Sequence, residues 1–138
     1  MKKDVTVILK GTHGEGPERE KTESICKGIW AERNGVTHIL FEEKDPDGDG
    51  FIKGRIKILE RCVEVERKGL VDSLLIFETG KTHRSDYHSP FGTMGLEVFT
   101  HSLEMDLRGE RIRLEALYDL AIDGGEPRRS KIVIEVKG

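Results

Sequence analysis

Aromatic residues are scarce in this 138-residue chain, at 6%, and tryptophan occurs once. Cysteine is limited to Cys26 and Cys62, with no CxxC pair, which argues against a disulfide scaffold or a paired-cysteine zinc site. Two thiols set singly on separate predicted strands fit a reduced compartment. The opening MKKDVTVILK offers an apolar stretch that ends at Leu9, too short for a signal-peptide core or a membrane span, so the protein is expected in the cytoplasm and away from membranes. An excess of basic charge is also missing. With 23 Lys and Arg against 26 Asp and Glu, the net charge of −3 argues against general nucleic-acid affinity, which needs a concentrated basic face. Helical periodicity and internal repeats are absent.

What the chain does carry is two-residue alternation. Its length fits one domain over residues 1–138, long enough to bury a core. Val5, Val7 and Leu9 open a strand that is expected to end at Gly11, and the glycine- and charge-rich residues 12–23 read as a loop. A second strand follows over residues 23–32, and Asn34-Gly35 predicts a tight hairpin into a third, residues 36–43. Further strands are predicted at residues 51–59, 62–69 and 73–79, the last apolar on both parities and so covered on both faces. Residues 80–88 read as a polar connection. Ile112, Leu114, Ala116, Tyr118, Leu120 and Ile122 give the cleanest alternation, ending at Asp123-Gly124-Gly125, and Ile132, Ile134 and Val136 close the chain.

Between these lies the corner. Pro90 fixes its own φ and extends Ser89, while Gly92 and Gly95 free the backbone, so Ser89-Pro90-Phe91-Gly92 is a turn. Beyond it the apolar positions run Leu96, Val98 and then Phe99, Leu103, Met105, Leu107. The parity flips once after Val98, which predicts a bulge or a change of sheet. Consecutive hairpins favour an antiparallel up-and-down arrangement of about eight to ten strands, in a sandwich or barrel with little or no helix. Pairing of the first and last strands would close a barrel and remove its exposed edges.

With these strands laid out, the chain resembles the YwiB-like family of uncharacterised bacterial proteins. The resemblance rests on Phe77-Glu78-Thr79-Gly80, the Ser89-Pro90-Phe91-Gly92 turn with its strand through Leu107, and Gly109 before the Tyr118 strand. Residues 23–30 and Phe41-Glu42-Glu43 also fit. It implies a calycin-like, lipocalin-like β-barrel, a class whose members hold small apolar molecules inside, though fold analogy alone does not establish function.

The motifs for chemistry are thin. Asp45, Asp47 and Asp49 with Gly50 match the start of an EF-hand calcium loop, but Ile56 stands where the bidentate glutamate belongs, so a plain turn is the better account and weak calcium binding stays open. The histidines are scattered, Ser89 precedes proline instead of sitting in a nucleophile elbow, and the glycines of residues 11–16 lack a phosphate-loop ending. No catalytic residue, metal ligand or cofactor is assigned. One place gathers candidate binding groups: Arg84, Tyr87, His88 and Phe91, a guanidinium, a phenol, an imidazole and an apolar ring beside the corner, which could clamp an acidic group at a pocket mouth. A solvated polar connection is the plainer reading. The leading functional expectation is non-catalytic binding of a small apolar or amphipathic ligand; the alternative is a protein–protein module, a homodimer through an outer face or edge strand, and an enzyme ranks third.

Overall fold

Two-residue alternation becomes ten antiparallel strands in the computed structural model, which describes residues 2–44, 48 and 50–138. They are β1 (Lys2–His13), β2 (Glu20–Arg33), β3 (Val36–Lys44), β4 (Phe51–Ile58), β5 (Cys62–Gly69), β6 (Ser73–Glu78), β7 (Thr82–Ser89), β8 (Gly92–Arg108), β9 (Arg111–Ile122) and β10 (Arg128–Lys137). Among the described residues the only helical turn is a 3-10 turn at Gly16–Glu18. The calcium-like segment of Asp45, Asp47 and Asp49 lies outside the described residues.

The ladder runs β6-β5-β4-β3-β2-β1-β10-β9-β8-β7, so the first and last strands pair as expected, from Thr6 opposite Lys137 to His13 opposite Ser130. That pair sits inside the continuous ladder and is not the closure. The seam of this nearly closed barrel falls between β6 and β7, where isolated bridges replace a ladder. At one end Asp72 and His88 exchange both backbone hydrogen bonds, at 2.9 and 2.8 Å. At the other, fully buried Thr100 accepts the Gly80 N–H on its carbonyl (2.8 Å) and the Glu78 N–H on its hydroxyl (3.2 Å). Between them the Ser85 hydroxyl donates to the Leu74 carbonyl at 2.6 Å.

Several boundaries differ from expectation, each for a local reason. Residues 80–88 are mostly strand: β7 alternates with period two, His83, Ser85 and Tyr87 half-buried and their neighbours exposed, but polar side chains carry the alternation. The expected loop at residues 12–23 is shorter, because β1 and β2 pair out to His13 opposite Glu20. The parity flip in β8 is a bulge, placed at His101 between the Thr100–Tyr118 and Ser102–Leu117 pairs, two residues later than the apolar pattern suggested. Ile122, expected inside, is 44% exposed while Ala121 is buried, at the last residues of the strand before the turn that opens at Asp123, whose φ is 51°. The Asn34-Gly35 hairpin forms as predicted, with φ of 53° and 77°, the positive values that such a turn requires.

The core is the inward parity of every strand but β7: Val5, Val7, Cys26, Ile39, Phe41, Ile56, Val63, Val65, Phe77, Val98, Ile112, Leu114, Ile134 and Val136 are buried, and Phe77 meets Tyr118 edge-on with ring centroids 4.9 Å apart. Phe41 is flanked by glycines on both neighbouring strands, opposite Gly28 on β2 and Gly54 on β4. A Cβ on Gly54 would sit 2.1 Å from Phe41 Cζ, so the ring lies across a strand that has given up its side chain there. Past the Gly28–Phe41 pair the β2–β3 ladder stops, and the two strands part towards the end of the barrel where β1 finishes.

Candidate functional site

Most of the interior is filled by the side chains just named, and one end is not. The connections at residues 14–19, 70–72, 90–91 and 123–127 all lie at that end, because the strands alternate in direction. Inside it is a hollow of about 460 Å³, walled by Leu9, Leu75, Tyr118 and Ile132 and bordered by His13, Thr22, Ser24, Glu43 and Arg67. Each of these residues stands on its strand's inward parity, one or two steps beyond a core residue: Arg67 follows Val63 and Val65, and Glu43 follows Ile39 and Phe41. The barrel therefore changes from apolar to polar along its own axis.

Arg67 donates from Nε to Glu43 Oε1 at 2.9 Å, both side chains only about one-fifth exposed (22% and 20%). The Ser24 hydroxyl reaches Glu43 Oε2 from across the parting of β2 and β3, at 3.4 Å. A guanidinium holds five N–H donors, so one bond to Glu43 leaves others for further partners, and Arg67 borders the hollow. On the opposite wall His13 Nδ1 lies 3.2 Å from the Ser130 hydroxyl, which also reaches the Arg128 carbonyl at 3.3 Å, and the ring brings its Nε2 near Gly11. That Nε2 and the Thr22 hydroxyl hang over Gly11: a Cβ there would lie 3.8 Å from the one and 2.7 Å from the other. A side chain at Gly11 would therefore collide with the Thr22 hydroxyl at the edge of the hollow.

Burial pushes the Tyr118 hydroxyl up to about 12, with Arg67 and the Ser130 hydroxyl acting in the opposite direction. It is a neutral hydrogen-bonding group at any physiological pH. Cys26 faces the same end; burial first and then the Glu43 carboxylate raise its thiol, and burial likewise raises Cys62, so neither is an activated nucleophile. Both are free. Among the described residues no group of three or more His, Cys, Asp or Glu side chains is placed to hold a metal ion.

The residues singled out from sequence do not form one cluster. Tyr87 and Phe91, with Leu70, Val71 and Met94, border a second hollow of about 610 Å³ on the rim of the same end. Phe91 caps its turn 99% exposed, the Ser89 hydroxyl accepting its N–H at 3.2 Å. Arg84 points outward to Glu97 at 3.4 Å, and exposed His88 bonds through Nδ1 to Thr93 Oγ1 at 2.9 Å. Glu43, Arg67, His13, Thr22, Ser24 and Tyr118 were missed. Two of them carried a readable signal, a charged residue continuing a core parity.

Ten antiparallel strands in a nearly closed ring, with one polar end, define an all-β barrel. Residues 7–134 match the family described as Domain of unknown function (DUF1934), and the chain belongs to it. It is similar to the Uncharacterized beta-barrel protein YwiB of Bacillus subtilis (strain 168), 27% identical over 135 residues that make up 97% of this chain and 93% of that protein. The crystal structure of the ywiB protein from Bacillus subtilis shares the fold, with a TM-score of 0.86 at 24% identity, covering 99% of this chain and 92% of that one.

Proposed function

We propose that this protein binds a small amphipathic molecule in the polar end of its barrel without transforming it. The observation that supports this is the 460 Å³ hollow over Gly11, apolar on its inner wall and ringed by polar groups. Its volume lies in the range of small-molecule sites, and a few convergent polar groups on an apolar wall are how such sites orient a ligand. The tail of the molecule packs on Leu9, Leu75 and Ile132; its head meets the Arg67 guanidinium and the Thr22 hydroxyl. Arg84, Tyr87, His88 and Phe91 are assigned a lesser part, with Tyr87 and Phe91 forming an apolar threshold beside the opening.

Fluorescence titration with anilinonaphthalene sulfonate, an amphipathic anion, tests the reading. The native chain is expected to bind one molecule saturably. Gly11→Leu pushes the Thr22 hydroxyl aside and crowds the hollow, and is expected to weaken binding at least about tenfold in a chain whose fold is confirmed by circular dichroism. Binding that Gly11→Leu leaves intact, or no saturable binding by the native chain, would refute it.

A further inference from the structure

Outside the barrel, on the face of β1 to β4, lies a depression of about 640 Å³ whose border includes Ile29, Leu40, Phe51, Lys27, Glu42 and Lys53. These are outward positions, and on a soluble barrel they would ordinarily be polar. Instead Ile29 and Leu40 stand directly opposite each other, each 39% exposed, and beyond the charged row of Lys27, Glu42 and Lys53 lie Ile25 at 66% and Phe51 at 51%. An exposed apolar pair set among charges of both signs is a candidate contact surface.

The cross-strand register says what fits it. One row reads Asp4, Ile29, Leu40, Arg55 across β1, β2, β3 and β4. The next row reads Thr6, Lys27, Glu42, Lys53, with Lys27 and Glu42 the first residues past the last β2–β3 pair. A two-fold axis lying in the contact plane, parallel to the strands and between β2 and β3, exchanges β1 with β4 and β2 with β3. It then sets Ile29 on the second copy's Leu40, Lys27 on its Glu42 and Asp4 on its Arg55, each contact occurring twice. Acid, apolar, apolar, base is a pattern that complements itself under this rotation, as an isologous contact demands. We infer that this face is the interface of a symmetric homodimer, the patch built from Ile29 and Leu40 at its centre and the Lys27–Glu42 pairs at its edge. The polar end of the barrel is left open in both copies.

Sedimentation velocity on the whole chain, from micromolar to submillimolar concentration, reads the outcome, with circular dichroism confirming that each variant folds. The native chain is expected to dimerise. Leu40→Glu, at the centre, is expected to weaken the dimer by about 100-fold. Lys27→Glu and Glu42→Lys should each weaken it, because like charges then meet across the axis, and the double variant should recover affinity to within about tenfold of native. This charge exchange keeps the test decisive even where Leu40→Glu fails to fold. A native chain that stays monomeric throughout, or a dimer indifferent to the charge exchange, would overturn the inference. So would a dimer abolished by Phe91→Ser and untouched by Leu40→Glu, which would place the contact on the rim.

Discussion

Arg67 and Glu43 are joined by a 2.9 Å bond on the inner surface of the barrel, one step beyond the apolar positions of their strands. Such a pair is costly to break from one side, because the survivor is left partly desolvated and unpaired. Arg67→Met and Glu43→Gln are each expected to cost about 1–3 kcal/mol in urea unfolding. The double variant should cost less than their sum. Strict additivity would mean that the two groups do not act as a pair.

Gly54 gives way to the ring of Phe41, and Ala there has nowhere to put its methyl group. Gly54→Ala should destabilise by about 1–3 kcal/mol, the scale of overpacking in a well-filled core. Phe41→Leu in the same chain should recover part of that loss, as measured by the denaturation midpoint. If Gly54→Ala is neutral alone, the ring is not held where the structure puts it.

Tyr118 supplies a pH dependence whose sign is fixed. Its hydroxyl, ordinarily near 10, is held protonated by burial up to about 12. A group whose folded value is raised contributes stability that is complete below its unfolded value and is lost as pH rises through the folded one. Stability should therefore fall between pH 10 and about 12, and ultraviolet titration of tyrosinate should show a late step that disappears in Tyr118→Phe. A Tyr118→Phe variant with an unchanged late step would contradict the burial of that hydroxyl.

The seam offers a separate test. Thr100→Val removes the hydroxyl that accepts the Glu78 N–H and leaves the carbonyl bond from Gly80 in place. The expected loss is about 1 kcal/mol, with faster amide exchange at Glu78 and little change along β1. Uniform acceleration across the barrel would show that β6 and β7 do not open independently.

Much of this architecture was legible because alternation reports directly on which face a residue occupies. Val5 to Leu9, Ile112 to Tyr118 and Ile132 to Val136 all face inward as the pattern requires. β7 escaped because Thr82 to Ser89 alternates without apolar residues, and hydropathy cannot see a strand whose inward side chains are histidine, serine and tyrosine. The site escaped for a related reason. Sequence reading sought charge in a polar segment, Arg84 to His88, whereas Glu43 and Arg67 sit at the far ends of apolar runs and meet only when β3 and β5 flank β4 in the ring. Spatial convergence of that kind belongs to register, which periodicity leaves unspecified.

Amide NMR during titration with anilinonaphthalene sulfonate tests the central claim most directly. Shifts confined to the polar end of the barrel, at Leu9 to His13, Thr22 to Ser24, Glu43, Arg67, Tyr118 and Ser130 to Ile132, are the predicted result. Shifts on the outer face around Ile29 and Leu40 alone, or none at saturating probe, would contradict it.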